Sequence, residues 1–462
     1  MPLFRLLPLL GVLVFIPLVR AHQEDDPKKK KGSTVPDGLK ALQHPDPKVR
    51  YRAAETLAQL GALAKFAVPE LKDALKDKHP MVRVKAAEAL WKIDQTPVAT
   101  LLPVLLQAMK DKDANVRAAA PPVIALLGAK AKAAVPALVN ALADKEFGVK
   151  LSAITALGDM GPIAKESAGD LLDLTKDKEF FLLEPFVGAC LGNMGPGALP
   201  ALTRALTDAS FDKRRLSAYA LGSMGVGAAP AAGQLAIAMK SDDPSTRRAA
   251  ANALGKIGMA AKRTLPQLEI AVTDKDPAVR IEAALATWFV SNDARHVTVL
   301  IKALDDQSVG VRDTACQALG LMKVGAKDAV DPVARLLTDK ELRNRAIQTL
   351  GEIGVPAAKK LPALKKFLDD KDGGPQLAAA FAVWQVSGDA KEPLAVMNQT
   401  LATEAHYTQT IVLLGEMRGA AGPMLQTLVN LYRAEDVPAD RRALAEAIKK
   451  IDAKVAMGLG IK

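Results

Sequence analysis

Cysteine, histidine and aromatic residues are scarce in this sequence. Its 462 residues include 2 cysteines, 5 histidines, 3 tryptophans, 4 tyrosines and 11 phenylalanines. Two cysteines in a chain of this length exclude a disulfide-stabilised scaffold. No histidine is followed by glutamate or stands four residues from another histidine or cysteine, so the spacings typical of zinc sites are absent. We therefore expect neither a bound metal nor a cofactor.

Short motifs that carry catalysis are also missing. The chain has no Gly-x-Ser-x-Gly elbow, no Gly-x-x-x-x-Gly-Lys phosphate loop, no Gly-x-Gly-x-x-Gly fingerprint and no Cys-x-x-Cys-His haem site. Its carboxylates recur at regular intervals, which is typical of helix caps and solvated faces. The sequence therefore favours a protein that is not an enzyme.

The first residues predict a targeting segment. The run from Leu6 to Val19 is apolar, and Val19-Arg20-Ala21 has small residues where a signal-peptide cleavage site needs them. This run is too short to span a bilayer. We predict a signal peptide at 1–21, a disordered charged linker at 22–37 and one repeat domain at 38–462. The mature chain would be periplasmic or secreted, without a membrane span. The alternative is an uncleaved membrane anchor, because Lys28–Lys31 make the downstream flank basic.

What the chain does have is one sequence motif, the repeat phrase, that recurs at intervals of 31 to 34 residues. Its clearest copy begins at Asp274 and continues through Pro277 to Arg280. Within each copy the apolar residues recur at helical spacing, and a glycine such as Gly258 separates two such stretches. One helix pair cannot bury its own apolar stripe, so neighbouring pairs must stack. The sequence therefore predicts an all-α solenoid of about twelve two-helix repeats.

The most specific mark of the repeat is an Asp followed six residues later by Arg or Lys. The pairs are Asp77/Arg83, Asp111/Arg117, Asp144/Lys150, Asp208/Arg214, Asp242/Arg248, Asp274/Arg280, Asp306/Arg312 and Asp339/Arg345. With these phrases, nearly everything after residue 37 resembles the HEAT repeat, in the short form also found in phycobilisome-lyase-type proteins. The resemblance implies a right-handed α-α superhelix in which these residues form a structural ladder of hydrogen bonds between successive repeats.

Two groups of aromatic residues depart from the repeat pattern. All three tryptophans, Trp91, Trp288 and Trp384, occupy one repeat position, where each indole fills the space between helices or belongs to an aromatic partner site. In three consecutive repeats the third residue after the Asp is phenylalanine. These residues are Phe147, Phe180 and Phe211, with Phe181 beside them. They predict a row that either binds a partner or packs on a neighbouring helix start.

The function most consistent with these features is a non-catalytic, exported scaffold that binds a protein partner as a monomer. One alternative is a bilin lyase or isomerase, which the repeat subtype alone suggests. The other is a nucleic-acid-binding solenoid, because the net charge is +11. Binding to nucleic acid would need a basic face, and one exposed position of the second helices is instead mixed. It holds Asp73, Gln107, Asn140, Arg204, Ile270 and Lys366.

Overall fold

A computed structural model describes residues 39–403, 405–435 and 437–461. The predicted signal peptide, the linker and the first residue of the repeat domain lie outside these ranges. The chain divides into two compact units, one up to Val104 and one from Leu105 onward. Over the described residues the secondary structure is entirely helical, as the sequence predicts, and no helix there is long and apolar enough to cross a membrane.

The helices alternate along the chain as first and second members of successive pairs. The first helices are α1 (Pro47–Leu60), α3 (Pro80–Asp94), α5 (Ala114–Leu126), α7 (Phe147–Met160), α9 (Phe180–Asn193), α11 (Phe211–Ser223), α13 (Pro244–Ile257), α15 (Pro277–Ser291), α17 (Val309–Met322), α19 (Arg343–Ile353), α21 (Gly373–Ser387), α23 (Tyr407–Met417) and α25 (Pro438–Ile451). The second helices are α2 (Val68–Ala74), α4 (Val98–Ala108), α6 (Val135–Ala141), α8 (Ala168–Asp173), α10 (Leu199–Ala205), α12 (Ala232–Ala238), α14 (Leu265–Ala271), α16 (Val297–Ala303), α18 (Val330–Arg335), α20 (Leu361–Lys365), α22 (Lys391–Thr400), α24 (Leu425–Ala434) and α26 (Ala453–Gly458).

Helix α13 shows why a first helix begins and ends where it does. The Asp243 carboxylate accepts the backbone N–H groups of Ser245 and Thr246, and Pro244 opens the first turn without needing a hydrogen bond. The helix ends at Gly258, whose φ of 69° is a conformation that favours glycine. The N-cap lies one or two residues after the Asp that starts the repeat phrase, so this cap and the repeat Asp are separate residues.

In the second unit the first helices form one continuous layer. Each first helix from α5 to α19 packs against the first helix that follows it. The buried residues are mainly alanine and leucine, and Leu254, for example, is fully buried. Burying one leucine stabilises a fold by about 1.5–3 kcal/mol. Small residues permit close approach, since a Cβ on Gly255 would lie 3.1 Å from the Cα of Ala286 in α15.

Most connections between the two helices of a pair begin with a residue at positive φ and continue as a short 3-10 helix. The glycines predicted here have φ values from 55° to 78°; they are Gly161, Gly195, Gly225, Gly258 and Gly354. Two non-glycine residues adopt the same conformation, Lys323 at φ 52°, ψ −129° and Arg418 at φ 51°, ψ −133°. A side chain in this region costs on the order of 1–3 kcal/mol, so these two corners are strained.

The three tryptophan repeats have a different connection. Helices α3, α15 and α21 end in a left-handed residue whose backbone N–H donates to the tryptophan carbonyl; these residues are Gln95, Asn292 and Gly388. The indole of Trp288 covers Gly325, where a Cβ would lie 2.7 Å from the ring. In α15 the tryptophan therefore fills space beside the next repeat, which favours the packing interpretation.

Candidate functional site

The ladder is built from arginines that bind two repeats at once. Arg117 donates through Nη1 to the backbone carbonyls of Asp111 and Lys112 in its own turn, at 2.9 and 3.1 Å. Its Nε and Nη2 donate to both carboxylate oxygens of Asp144, 27 residues later, at 2.7 and 2.9 Å. The Asp144 carboxylate also accepts the backbone N–H of Glu146. Each such arginine therefore ties its own turn to the turn of the following repeat, and we call this arrangement a rung.

Rungs recur in both units. Arg50 binds Asp77 in the first unit at 2.6 and 2.8 Å. In the second unit Lys150 binds Asp177 and Glu179, and Arg312 lies 3.4 Å from Asp339. Three further predicted residues donate to the carbonyl of the Asp six residues before them; they are Arg83, Arg214 and Arg280. Within their own turns, Asp274 and Asp306 accept the backbone N–H two residues later.

The guanidinium groups change the acidity of their partners. Two hydrogen bonds from Arg117 hold the pKa of Asp144 below its usual value. The side chains of this pair are only 11% and 14% exposed, so solvent screens the interaction little. Charge-assisted bidentate pairs of this kind fix geometry as well as contributing energy.

The sequence misplaced two rungs. For the pair Asp242/Arg248, the buried rung is one residue earlier, where Arg247 binds the carbonyl of Ser241 and the carboxylate of Asp274. Arg248 is exposed. Ser241 occupies the turn position that an Asp holds elsewhere. Because the adjacent residue is Asp242, the sequence pattern placed the repeat one residue too late.

For the pair Asp339/Arg345, Arg345 links two successive repeats as predicted, but in the opposite direction to the other rungs. Arg345 binds backward to Asp313 at 2.8 Å, whereas Arg343 lies 3.7 Å from Asp370 in the next repeat. The amide of Arg343 donates to the carbonyl of Asp339 at 2.8 Å, so helical winding begins at Asp339 itself. This early winding turns a different residue toward the following repeat.

The predicted row of phenylalanines is interrupted. Phe180 is only 6% exposed and Phe147 is half-buried, whereas Phe181 is 73% and Phe211 51% exposed. Phe180 is therefore a core residue, and its prediction as part of an exposed partner-binding edge is wrong. The physical reason is again the helix start: Glu179 has ψ 11°, where the matching Glu146 has ψ 124°.

Leu183, which stands where a rung residue is expected, is fully buried, and Lys150 and Arg247 are also buried at this position of their repeats. In the absence of that donor, Lys213 reaches back from α11 to Asp173 at the end of α8, at 2.7 Å. The exposed remainder is a patch that we define as Phe181, Leu182 and Phe211, in the first turns of the neighbouring helices α9 and α11. Arg214 stacks over the Phe211 ring at 4.3 Å.

A second surface feature is a groove of about 520 Å³ between consecutive second helices of the second unit. The lining residues are Ala229, Ala232, Gly233, Ala236, Ile237, Lys240, Ala260, Ala261, Arg263, Thr264 and Gln267. The lining contains two cations and no carboxylate. Sequence reasoning missed this groove, although small residues at helical spacing were visible from Ala229 to Ala236.

Groups with reactive chemistry are few among the described residues. Burial raises the pKa of both Cys190 and Cys316 to about 12, so neither thiol ionises near neutral pH. No group of three or more His, Cys, Asp or Glu residues within the described ranges could hold a metal ion.

Comparisons with known proteins agree with this repeat architecture. A sequence profile described as HEAT repeats matches residues 35–120, 102–183, 231–287 and 297–384. A search of curated proteins found no significant match.

Similar solved structures include a karyopherin, at low sequence identity. The Kap95:Nup1 complex has 13% identity and a TM-score of 0.53, with 90% of this chain and 67% of that chain covered. Kap121p bound to the extreme C-terminus of the protein phosphatase Cdc14p has 15% identity and a TM-score of 0.41, covering 90% and 53%. The chain thus spans about half the length of that Kap121p. Because the profile covers more than half of its residues, the chain belongs to the HEAT-repeat family.

Proposed function

We propose that the protein is a non-catalytic scaffold that binds a protein partner through its exposed side chains. The observation that carries this proposal is the patch of Phe181, Leu182 and Phe211, which leaves large apolar side chains in solvent. Contiguous exposed apolar surface on a soluble protein marks an interaction site, and aromatic residues supply much of the binding energy at interfaces. Kap95, which has a similar fold, was solved in complex with Nup1.

The ladder orders the repeats on either side of this surface. Rungs at Lys150 and Arg247 hold turns of the second unit in register. Between α9 and α11 themselves the links run backward along the chain, from Lys213 to Asp173 and from Arg215 to Glu184.

The test is affinity capture with the full chain and two matched variants. Phe181→Ser with Phe211→Ser removes the aromatic side chains of the patch. Met259→Ser with Val355→Ser removes two apolar side chains of similar exposure elsewhere in the second unit. We expect both variants to unfold at the wild-type temperature and only the first to lose the captured protein. Equal capture by both variants, or no captured protein with any of the three, would refute the proposal.

We also propose that the chain is exported. This proposal is supported by the apolar run from Leu6 to Val19 and the small residues Val19 and Ala21. Mass measurement of the protein isolated from its natural source tests it. A mature chain that begins at His22 is the expected result, and an intact N-terminus would favour the membrane anchor instead.

A further inference from the structure

The groove in the second unit has two dissimilar walls. One wall is the 3-10 segment and helix α12 of one repeat, with Ala229, Ala232, Gly233 and Ala236. The other wall is the 3-10 segment Gly258–Thr264 and the start of α14. In the following repeat, the positions matching the small residues hold Lys262, Leu265, Pro266 and Glu269. The side chains of the first wall are therefore small, and the space that they leave forms a channel along the helix.

The channel is electropositive. Lys240 stands at one end of the first wall and Arg263 lies on the second wall. Both residues are exposed, and neither has an ion-pair partner within the part of the chain that the structure describes. The acids nearest in sequence do not line the channel: Asp242 lies outside it, and Glu269 is 3.4 Å from Arg295. Two uncompensated cations attract a ligand of negative charge.

The channel also has an apolar side. Ile237 is 60% exposed in its lining, and Ile270 of the next second helix is 71% exposed. A volume of about 520 Å³ falls within the range of about 300–1,000 Å³ at which pockets enclose ligands. An open channel lined by both apolar and cationic groups suits a chain segment better than a compact small molecule.

We propose that this groove binds an extended, acidic segment of a partner protein. Carboxylates of the segment pair with Lys240 and Arg263, and an apolar side chain packs on Ile237. This inference rests on the proposed function as a protein-binding scaffold, and it assigns the class of partner: an acidic, apolar-containing peptide. The patch of Phe181, Leu182 and Phe211 remains a separate contact.

The test uses a substitution that fills the groove without straining the helix. Gly233 has ordinary helical φ and no atom within 4 Å of a Cβ placed on it, so Gly233→Leu occupies only the channel. Gly169 is the matched control, since it stands at the same position of α8, is exposed and is equally unobstructed. A third variant, Lys240→Glu with Arg263→Glu, reverses the charge of the channel, and Lys262→Glu reverses one neighbouring charge outside its lining.

The probe is a library of short random peptides selected on the full chain, followed by affinity measurement for the enriched peptides. We expect these peptides to be rich in Asp and Glu with at least one apolar residue. Gly233→Leu and the charge reversal should each weaken their binding by about tenfold or more, equal to about 1.4 kcal/mol. Gly169→Leu and Lys262→Glu should leave binding unchanged.

Three outcomes would overturn the inference. They are enrichment of basic or neutral peptides, binding that Gly233→Leu does not weaken, and binding in the groove of single-stranded DNA but of no peptide. If acidic peptides do not bind the groove but capture through the Phe patch is undiminished, the inference about the groove fails and the scaffold function is retained. Failure of both measurements would remove the scaffold function as well.

Discussion

The repeat that begins at Asp177 and the repeat that contains α13 differ in how their first helices start. Around α13, the N-cap Asp243 is extended and Arg247 is free to make a rung to Asp274. Around α9, winding begins early, Leu183 is buried and no rung residue follows. In α9 Phe181 and Leu182 are exposed. The difference teaches that first helices continue to pack on one another when a leucine replaces the rung residue and the start of the helix changes.

The largest effect is expected from giving α9 the basic rung residue that its repeat lacks. Leu183→Arg should destabilise the chain by about 4 kcal/mol, because it places a charge at a fully buried position and the carboxylate in the acceptor position, Asp208, already lies 3.8 Å from Lys213. Urea unfolding of the full chain measures it. A neutral or stabilising effect would show that α9 can adopt the start seen in α13.

Removing a rung from the regular repeat is expected to cost somewhat less. Arg247→Ala leaves Asp274 and the carbonyls of Ser241 and Asp242 without their donor in a site that is nearly closed to solvent. We expect a loss of about 3 kcal/mol in the free energy of unfolding. The adjacent, exposed Arg248→Ala is the control and should cost under about 0.5 kcal/mol. Equal losses would mean that the rung contributes nothing specific.

At the two strained corners, substitutions by glycine are expected to raise the free energy of unfolding. Lys323→Gly and Arg418→Gly should each stabilise the chain by about 1 kcal/mol, since glycine adopts their conformation without cost. The reverse change, Gly225→Lys, should destabilise by a similar amount because Gly225 has the same positive φ. Thermal unfolding of the three variants measures these effects. A shift in the same direction for the substitutions to glycine and for Gly225→Lys would contradict the expectation.

The smallest expected effect is a dependence on pH. Because Arg117 lowers the pKa of Asp144, this rung contributes its full stability above the unfolded value of about 4. That contribution disappears as the pH falls through the lower folded-state value. Acidification from neutral pH should therefore cost wild type more stability than Arg117→Met, by under about 1 kcal/mol. If acid affects both equally, Asp144 does not titrate with the rung.

Much of the fold could be predicted from the sequence because it depends on local patterns. The repeat length, the alternation of two helices and the glycine corners such as Gly258 follow from periodicity and from conformations that only glycine adopts freely. The rungs at Arg117 and Lys150 were recognisable from the spacing of Asp and the basic residue.

The candidate site was harder to predict because it depends on how each helix begins. Glu146 and Glu179 are the same residue at the same repeat position, yet only Glu146 is extended. Burial of Phe180 accompanies the other conformation, so the residue at the cap position does not by itself determine how the helix begins. The groove beside Gly233 likewise exists only once two neighbouring second helices stand together.

The reach of each rung, from its own turn to the turn of the next repeat, has a consequence for cooperativity. The stability of a linear array is approximately the sum of the stabilities of its repeats and of the interfaces between neighbouring repeats. A rung stabilises the interface between its own repeat and the following one. At Leu183 this forward contribution is absent, and the links run in the reverse direction, from Lys213 to Asp173 and from Arg215 to Glu184. Hydrogen exchange should therefore find the boundary between two cooperatively opening segments between α9 and α11. The patch of Phe181, Leu182 and Phe211 lies at this same junction.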